Sequence, residues 1–238
     1  LFEKISENTE LSNVSTKNNA FKKDIDAVIA KHLDTILKTE NLIIDIRGNG
    51  GGSDVSYASL LPILYTNPIR TVGMEYLSTE LNNSRMLGFL ENPHFSEEEK
   101  QWAKDGYDIL NQHIGSYINI DEDVTVETFD KIEPLPKSIG VLVDSSNGST
   151  AEQFLLAAKQ SKKVKLFGQT TAGVLDISNM YQTDSPSGTF TLYYSLTKSL
   201  RIPHMAIDGV GIQPDYYIDG ELPLYQWTSY TQKILEGM

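Results

Sequence analysis

The chain has 238 residues, enough to bury a sizeable core as one large domain or two small ones. Its 39% apolar and 22% charged residues are ordinary for a globular protein, and no apolar run approaches the roughly 18 to 20 residues of a membrane-spanning helix. A net charge of −12 argues against a nucleic-acid partner, whose phosphates demand a basic surface, and the lack of cysteine excludes disulfides, thiolate zinc sites and cysteine catalysis.

The chain opens at Leu1 with neither an initiating Met nor a targeting peptide, so it reads as an excised or processed piece of a longer protein. Residues 1–16 are polar and predict a flexible lead-in, leaving 17–238 as the folded core. Phe21, Ile25, Val28, Ile29, Leu33, Ile36 and Leu37 recur at three- and four-residue spacing, which predicts a helix. Leu42 to Ile46 is a short run rich in β-branched residues and bounded by glycine, the pattern of a buried strand. Gly48 to Gly52 ends it, and Ser53 or Asp54 can cap a helix reaching about Tyr65. Asn67-Pro68 stops that helix, and Thr71 to Leu77 predicts another strand. Residues 79–115 form a polar helical stretch, expected to be an insertion or lid across the main sheet. A strand over Ile139 to Val143, a loop over Asp144 to Gly148 and a helix to about Lys162 follow. Lys162, Lys163 and Lys165 then stand where cations complement the carbonyl end of a helix. Val164 to Phe167 predicts a strand, Thr189 to Leu196 a hairpin arm and Tyr225 to Leu235 a last helix. Strands alternating with helices define an α/β chain.

Two strand–loop–helix units carry candidate chemistry. In the first, Gly50, Gly51 and Gly52 permit positive φ angles and leave backbone N–H groups uncovered, where a phosphate or a developing oxyanion would be stabilised. Asp45 and Arg47 flank this loop; charged side chains beside a buried strand need partners, so they are expected to brace the loop and each other. In the second, a strand delivers Ser149 to the first turn of a helix, behind Gly148 and ahead of Thr150 and Ala151. Helix dipole and free N–H groups there favour an alkoxide-like Oγ and a tetrahedral oxyanion alike. The bland account is also available: Ser149 and Glu152 have the Ser-x-x-Glu spacing of a capping box, and the glycines suit a tight turn.

Taken in order, these segments resemble peptidase family S41, of the crotonase/Clp-protease fold superfamily. Its oxyanion-loop motif, Asp-x-Arg-x-Asn-x-Gly-Gly, is matched by Asp45, Arg47, Asn49, Gly51 and Gly52. Its nucleophile motif is matched by Ser149-Thr150-Ala151-Glu152, a third block by Gly168-Gln-Thr-Thr171-Ala-Gly173, and a closing block by Gly211-Ile-Gln-Pro214-Asp215. Tail-specific members carry a Lys shortly after the third block, where this chain has Val174. Tricorn-like members use an upstream His together with an acidic residue three positions before the first Gly of the last block, a place held here by Asp208. The resemblance implies a core of repeated β-β-α units with a helical insertion at about 79–115. It implies a Ser149 nucleophile, a His general base from an upstream segment, and Asp208 positioning that base. Gly51 or Gly52, together with Thr150, would donate to the oxyanion, with Asp45, Arg47, Asn49 and Glu152 in support. It further implies peptide or unfolded-protein substrates, no cofactor or metal, and an extracytoplasmic setting; oligomeric state stays open.

Four other readings bear on these residues. His204 with Asp208 would keep the base within the chain, although Pro203 and Gly209 oppose a helical pairing of the two. His32 lies on a helical face, and His94 and His113 fall in the polar insertion and read as solvated. Gly48-x-Gly50-x-x-Ser53 followed by Glu75 mimics a dinucleotide fingerprint but lacks its third glycine. A degenerate peptidase that has lost its base would keep the groove and bind extended peptides by strand addition.

Overall fold

The computed structural model describes residues 14–93 and 95–237, with side chains over 22–93 and 95–237. Expectations for residues 1–13 and for His94 lie outside the described residues. The α/β class is as expected. Helix α1 (Val14–Ile36) leads into strand β1 (Asn41–Asp45), a 3-10 turn (Asp54–Leu60) and the short helix α2 (Leu61–Leu64). The helix thus starts before residue 17, and the segment after the glycines winds mainly as 3-10.

The main sheet is parallel throughout. Its order is β1, β6 (Ser138–Val143), β7 (Val164–Gly168) and β10 (Tyr216–Tyr217). Strand β6 is central and apolar along its length, as a strand covered on both faces must be. Side-chain alternation sorts it. Ile139, Val141 and Val143 share a core with Leu64, Leu166 and with Phe154 and Leu155 of helix α5 (Thr150–Ala158). Leu142 faces the other way, with Phe167, Ile218 and with Trp227 and Leu235 of helix α6 (Trp227–Glu236). Each such buried side chain contributes roughly 1.5 to 3 kcal/mol. Gly140 lets α6 approach: a Cβ there would lie 2.7 Å from Thr231 Cγ2.

Antiparallel pieces flank this core. The single strand expected over 71–77 is two, β2 (Ile69–Val72) and β3 (Met74–Leu77), which belong to different sheets. The break falls at Gly73, where a side chain would meet Glu122 O at 2.6 Å. Strand β2 pairs with β5 (Val124–Glu127), while β3 joins a four-stranded sheet ordered β4 (Tyr117–Ile118), β3, β9 (Thr191–Ser199), β8 (Ile177–Asp184). The insertion folds as α3 (Glu80–Leu90) and α4 (Glu97–Asn111), the latter opened by a Ser96–Glu99 capping box. Its small core of Met86, Ala103 and Leu110 rests on Tyr76 and Ile118, so it covers β3 and β4 and not the parallel sheet. Helix α5 ends at Ala158, leaving the lysine cluster beyond it. Lys163 Nζ bonds to Glu133 O and Lys165 lies 3.8 Å from Asp215, so these two do not serve the end of the helix.

Gly168 closes β7 at φ +132°, where an added Cβ would fall 1.9 Å from Val143 O and 3.0 Å from Trp227. Neither the neighbouring strand nor the buried indole can yield. Gly168→Ala is therefore expected to destabilise the fold by about 3 kcal/mol or more. A shifted midpoint in chemical denaturation measures this; an unchanged midpoint would show that the strand end is free to move.

Candidate active site

Because β1 and β6 are parallel neighbours with Asp45 opposite Leu142, the loops leaving their C-terminal ends must lie side by side. Such loops form the crevice in which open parallel sheets carry their ligands. The loop after β7, residues 169–176, leaves from the same edge.

Side chains stitch these loops by bonding to backbone. Buried Asn147 donates Nδ2–H to Ile46 O (2.5 Å) and Asn49 O (3.1 Å), accepts from Asp144 N at 2.8 Å, and its carbonyl accepts Ala172 N–H at 2.8 Å. Asp144 accepts Gly48 N–H at 3.1 Å on each oxygen and Ser146 N–H at 3.0 Å. In the sequence, 144–148 carry only the pattern of a loop, and the signal for these two residues is a polar pair directly after a buried strand.

Ser149 stands at the first turn of α5 with φ 53° and ψ −127°. This positive φ is strained for a residue with a Cβ, and such strain persists only where surrounding structure holds it. The hydroxyl makes no capping bond to the helix. Nor does Glu152 reach back to it. Glu152 is fully buried and accepts from Thr171 Oγ1 (2.5 Å), Gly173 N (2.7 Å) and Val174 N (2.9 Å). The capping-box account is thus overturned: Glu152 anchors the third motif's loop, and that loop's Val174 presses on Gly148, with Cγ2 2.6 Å from where a Gly148 Cβ would be.

The glycine loop meets the serine directly. A Cβ on Gly51, whose φ is +112°, would lie 2.7 Å from Ser149 Cβ, 2.8 Å from Gly148 O and 3.1 Å from Thr150 N. Gly51 N–H itself donates to Asn49 Oδ1 at 2.9 Å. Among the described residues no acceptor is bonded to the amides of Gly52 and Thr150. Thr150 Oγ1 donates to Asp54 Oδ1 at 2.8 Å, a second tie between the loops. Asp54 is exposed as a whole residue, but this end of it is crowded, and the loss of water raises its carboxyl above the ordinary range, against the pull of the Thr150 bond and the Arg201 charge.

Asp45 and Arg47 do pair, in a fork: Nε to Oδ1 at 2.9 Å and Nη2 to Oδ2 at 2.6 Å. Arg47 also donates to Leu224 O at 2.6 Å and lies 5.5 Å from the centre of the Trp227 ring, so it ties the loop's base to α6 and does not enter the crevice. Asp208 spreads its carboxylate over three amides, Leu175 and Asp176 (both 2.6 Å) on Oδ1 and Ile177 (3.1 Å) on Oδ2. His204 is exposed and is not among its partners, so the in-chain pairing is not formed. Glu75 pairs with Lys198 at 3.1 Å across β3 and β9, which accounts for it without a ribose. Among the described residues no group of three or more His, Asp or Glu could hold a metal, and no helix is long and apolar enough to cross a membrane.

The fold thus sets a strained serine against a glycine loop at the C-terminal edge of a parallel sheet. The chain belongs to peptidase family S41, whose profile matches residues 16–218. A Chlamydia trachomatis protein is 26% identical over 204 residues, covering 74% of this chain and 34% of its own, and one of Chlamydia muridarum is 26% identical over 228 residues, covering 83% and 38%. Mature CPAF, solved in complex with lactacystin, superposes with a TM-score of 0.59 at 20% identity over 97% of this chain and 48% of that one. A Parabacteroides merdae protein solved as a candidate peptidase gives 0.53 at 17% identity, over 90% and 56%. The chain therefore spans little more than a third of the length of these curated relatives and about half of mature CPAF.

Proposed function

We propose that this chain is the core of a serine endopeptidase in which Ser149 attacks the carbonyl carbon of a peptide bond. The contact between Gly51 and Ser149 carries the reading: it sets the nucleophile, at a strained turn, against the glycine loop and the start of α5. As Oγ bonds to the carbonyl carbon, its proton passes to a base and the carbonyl oxygen becomes an oxyanion. The amides of Gly52 and Thr150 are the donors for it, pre-set by the stitched loops and by the start of α5. The leaving amine takes the proton from the base, and water then hydrolyses the acyl-serine by the same steps in reverse.

The base is a histidine from sequence upstream of this chain. A neutral imidazole is matched to a serine proton near pH 7. His32 lies on α1, and His113 and His204 are exposed away from Asp208's bonds. Asp208, with three of about four acceptor positions engaged, keeps one to orient the imidazole.

The test uses the full-length protein that contains this chain. A fluorophosphonate is expected to attach to Ser149, as located by mass spectrometry, and Ser149→Ala is expected to lose both labelling and peptide cleavage. Cleavage by Ser149→Ala at the wild-type rate would remove the nucleophile assignment. A folded protein that binds unfolded peptides but neither labels nor cleaves would instead be the degenerate binding module.

A further inference from the structure

Behind the nucleophile two turns are locked together by charges that the family motifs do not include. Asp176 is fully buried. Its Oδ1 accepts from Arg201 Nε at 2.7 Å, and its Oδ2 accepts from the amides of Ile207 (2.5 Å) and Asp208 (2.9 Å). Asp208 answers in the opposite direction, its Oδ1 accepting Asp176 N–H. Each aspartate thus holds the other's backbone. Gly209 N–H to Gly173 O, at 2.9 Å, closes the same pair of turns. Gly173 sits so close to Ile207 O (2.7 Å from its would-be Cβ) that the turns cannot approach further.

Stability alone is a poor reason for this arrangement. Arg201, only 7% exposed, and Asp176 both lose hydration, and apolar residues of similar volume generally replace such a pair without loss of stability. What apolar residues cannot reproduce is geometry. The clamp decides where the Asp208 carboxylate sits, which way its remaining acceptor position faces, and how Val174 on the same loop bears on Gly148 beside Ser149.

We propose that Asp176, held by Arg201, is a positioning residue for hydrolysis: it fixes the 173–177 and 207–211 turns so that Asp208 meets the base in register with Ser149. The inference rests on the serine-peptidase reading above and extends it to residues outside the four motifs.

The experiment measures fluorophosphonate labelling of the full-length protein against probe concentration, which separates the maximal rate from the half-saturating concentration. Two variants are compared, at a temperature where circular dichroism shows each folded. Asp176→Asn keeps shape and one acceptor oxygen but loses the charge facing Arg201. Asp176→Leu/Arg201→Met removes both charges and the acceptor for Ile207 and Asp208 while restoring an apolar, packed interior. The maximal rate is expected to fall on the order of 10- to 100-fold, more in the double variant, as for a group displaced by about 1 Å. The half-saturating concentration should stay within about threefold, because the probe's binding surface is untouched. A purely structural role predicts the reverse order, with the double variant regaining its rate as it regains melting temperature; that result, or wild-type rates in either variant, overturns the proposal. Should Asp176→Asn not fold, the double variant carries the comparison. Wild-type protein that fails to label at all defeats the hydrolytic reading itself, whereas labelling that ignores both variants defeats only the clamp.

Discussion

Gly51→Ala is expected to lower Ser149 labelling and peptide cleavage on the order of 100-fold while the protein still folds. The added Cβ would stand 2.7 Å from Ser149 Cβ and 2.8 Å from Gly148 O, closer than carbon atoms pack. Neither neighbour is the end of a flexible side chain, so the glycine loop must back away from the serine. The Gly52 and Thr150 amides, the proposed oxyanion donors, would then shift relative to one another. Overpacking of this kind costs about 1 to 3 kcal/mol of stability, which a protein of this size tolerates. Gly48→Ala is the control. Gly48 also has a positive φ, +75°, but nothing lies within 4 Å of its would-be Cβ. That variant should lose about 1 kcal/mol to backbone strain and label within a few-fold of wild type. Equal loss in both would mean that the loop's flexibility matters and its contact with Ser149 does not.

Glu152→Ala should produce the largest loss of stability among the site residues, about 3 kcal/mol or more. Truncation leaves the Thr171 hydroxyl and the amides of Gly173 and Val174 without their acceptor, and each buried orphan costs about 1 to 3 kcal/mol. Thr171 Oγ1 in turn accepts Ile212 N–H at 2.7 Å, so the damage extends to the closing Gly-Ile-Gln-Pro-Asp block. Glu152→Gln keeps one carbonyl oxygen and sets an NH2 against a donor at the other end, so it should fall between the two. Denaturant midpoints order the three proteins. If Glu152→Ala lay within about 0.5 kcal/mol of wild type, as for a surface change, the loop would need some other anchor.

These outcomes separate what motif spacing conveys from what packing adds. Strands β1, β6 and β7 were legible because a parallel strand covered on both faces is a short, unbroken apolar run, and glycine marks its end. The α1 periodicity and the hairpin arm were legible for similar local reasons. Strand β8, half polar and exposed along much of its length, carried no such signal. The split of 69–77 into two strands hung on Glu122, whose carbonyl lies against Gly73 from fifty residues away. Helix α5 ends at Ala158, short of the expected Lys162, and the side chains of Lys163 and Lys165 find their partners on other segments.

The amino-acid order alone determined the α/β class, the family and the pair of loops that face the same crevice, since each depends on local pattern: hydrophobic period, glycine placement and motif spacing. Tertiary structure decided what the polar groups do. Glu152 turned from a helix cap into a loop anchor, Gly51 emerged as the point where the glycine loop comes against Ser149, and Asp144, Asn147, Asp176 and Arg201 as the ties that hold the turns. A hydrogen bond's partner is fixed by distance in space, and residues as far apart along the chain as Arg47 and Leu224, 177 positions, become neighbours only once the sheet has formed.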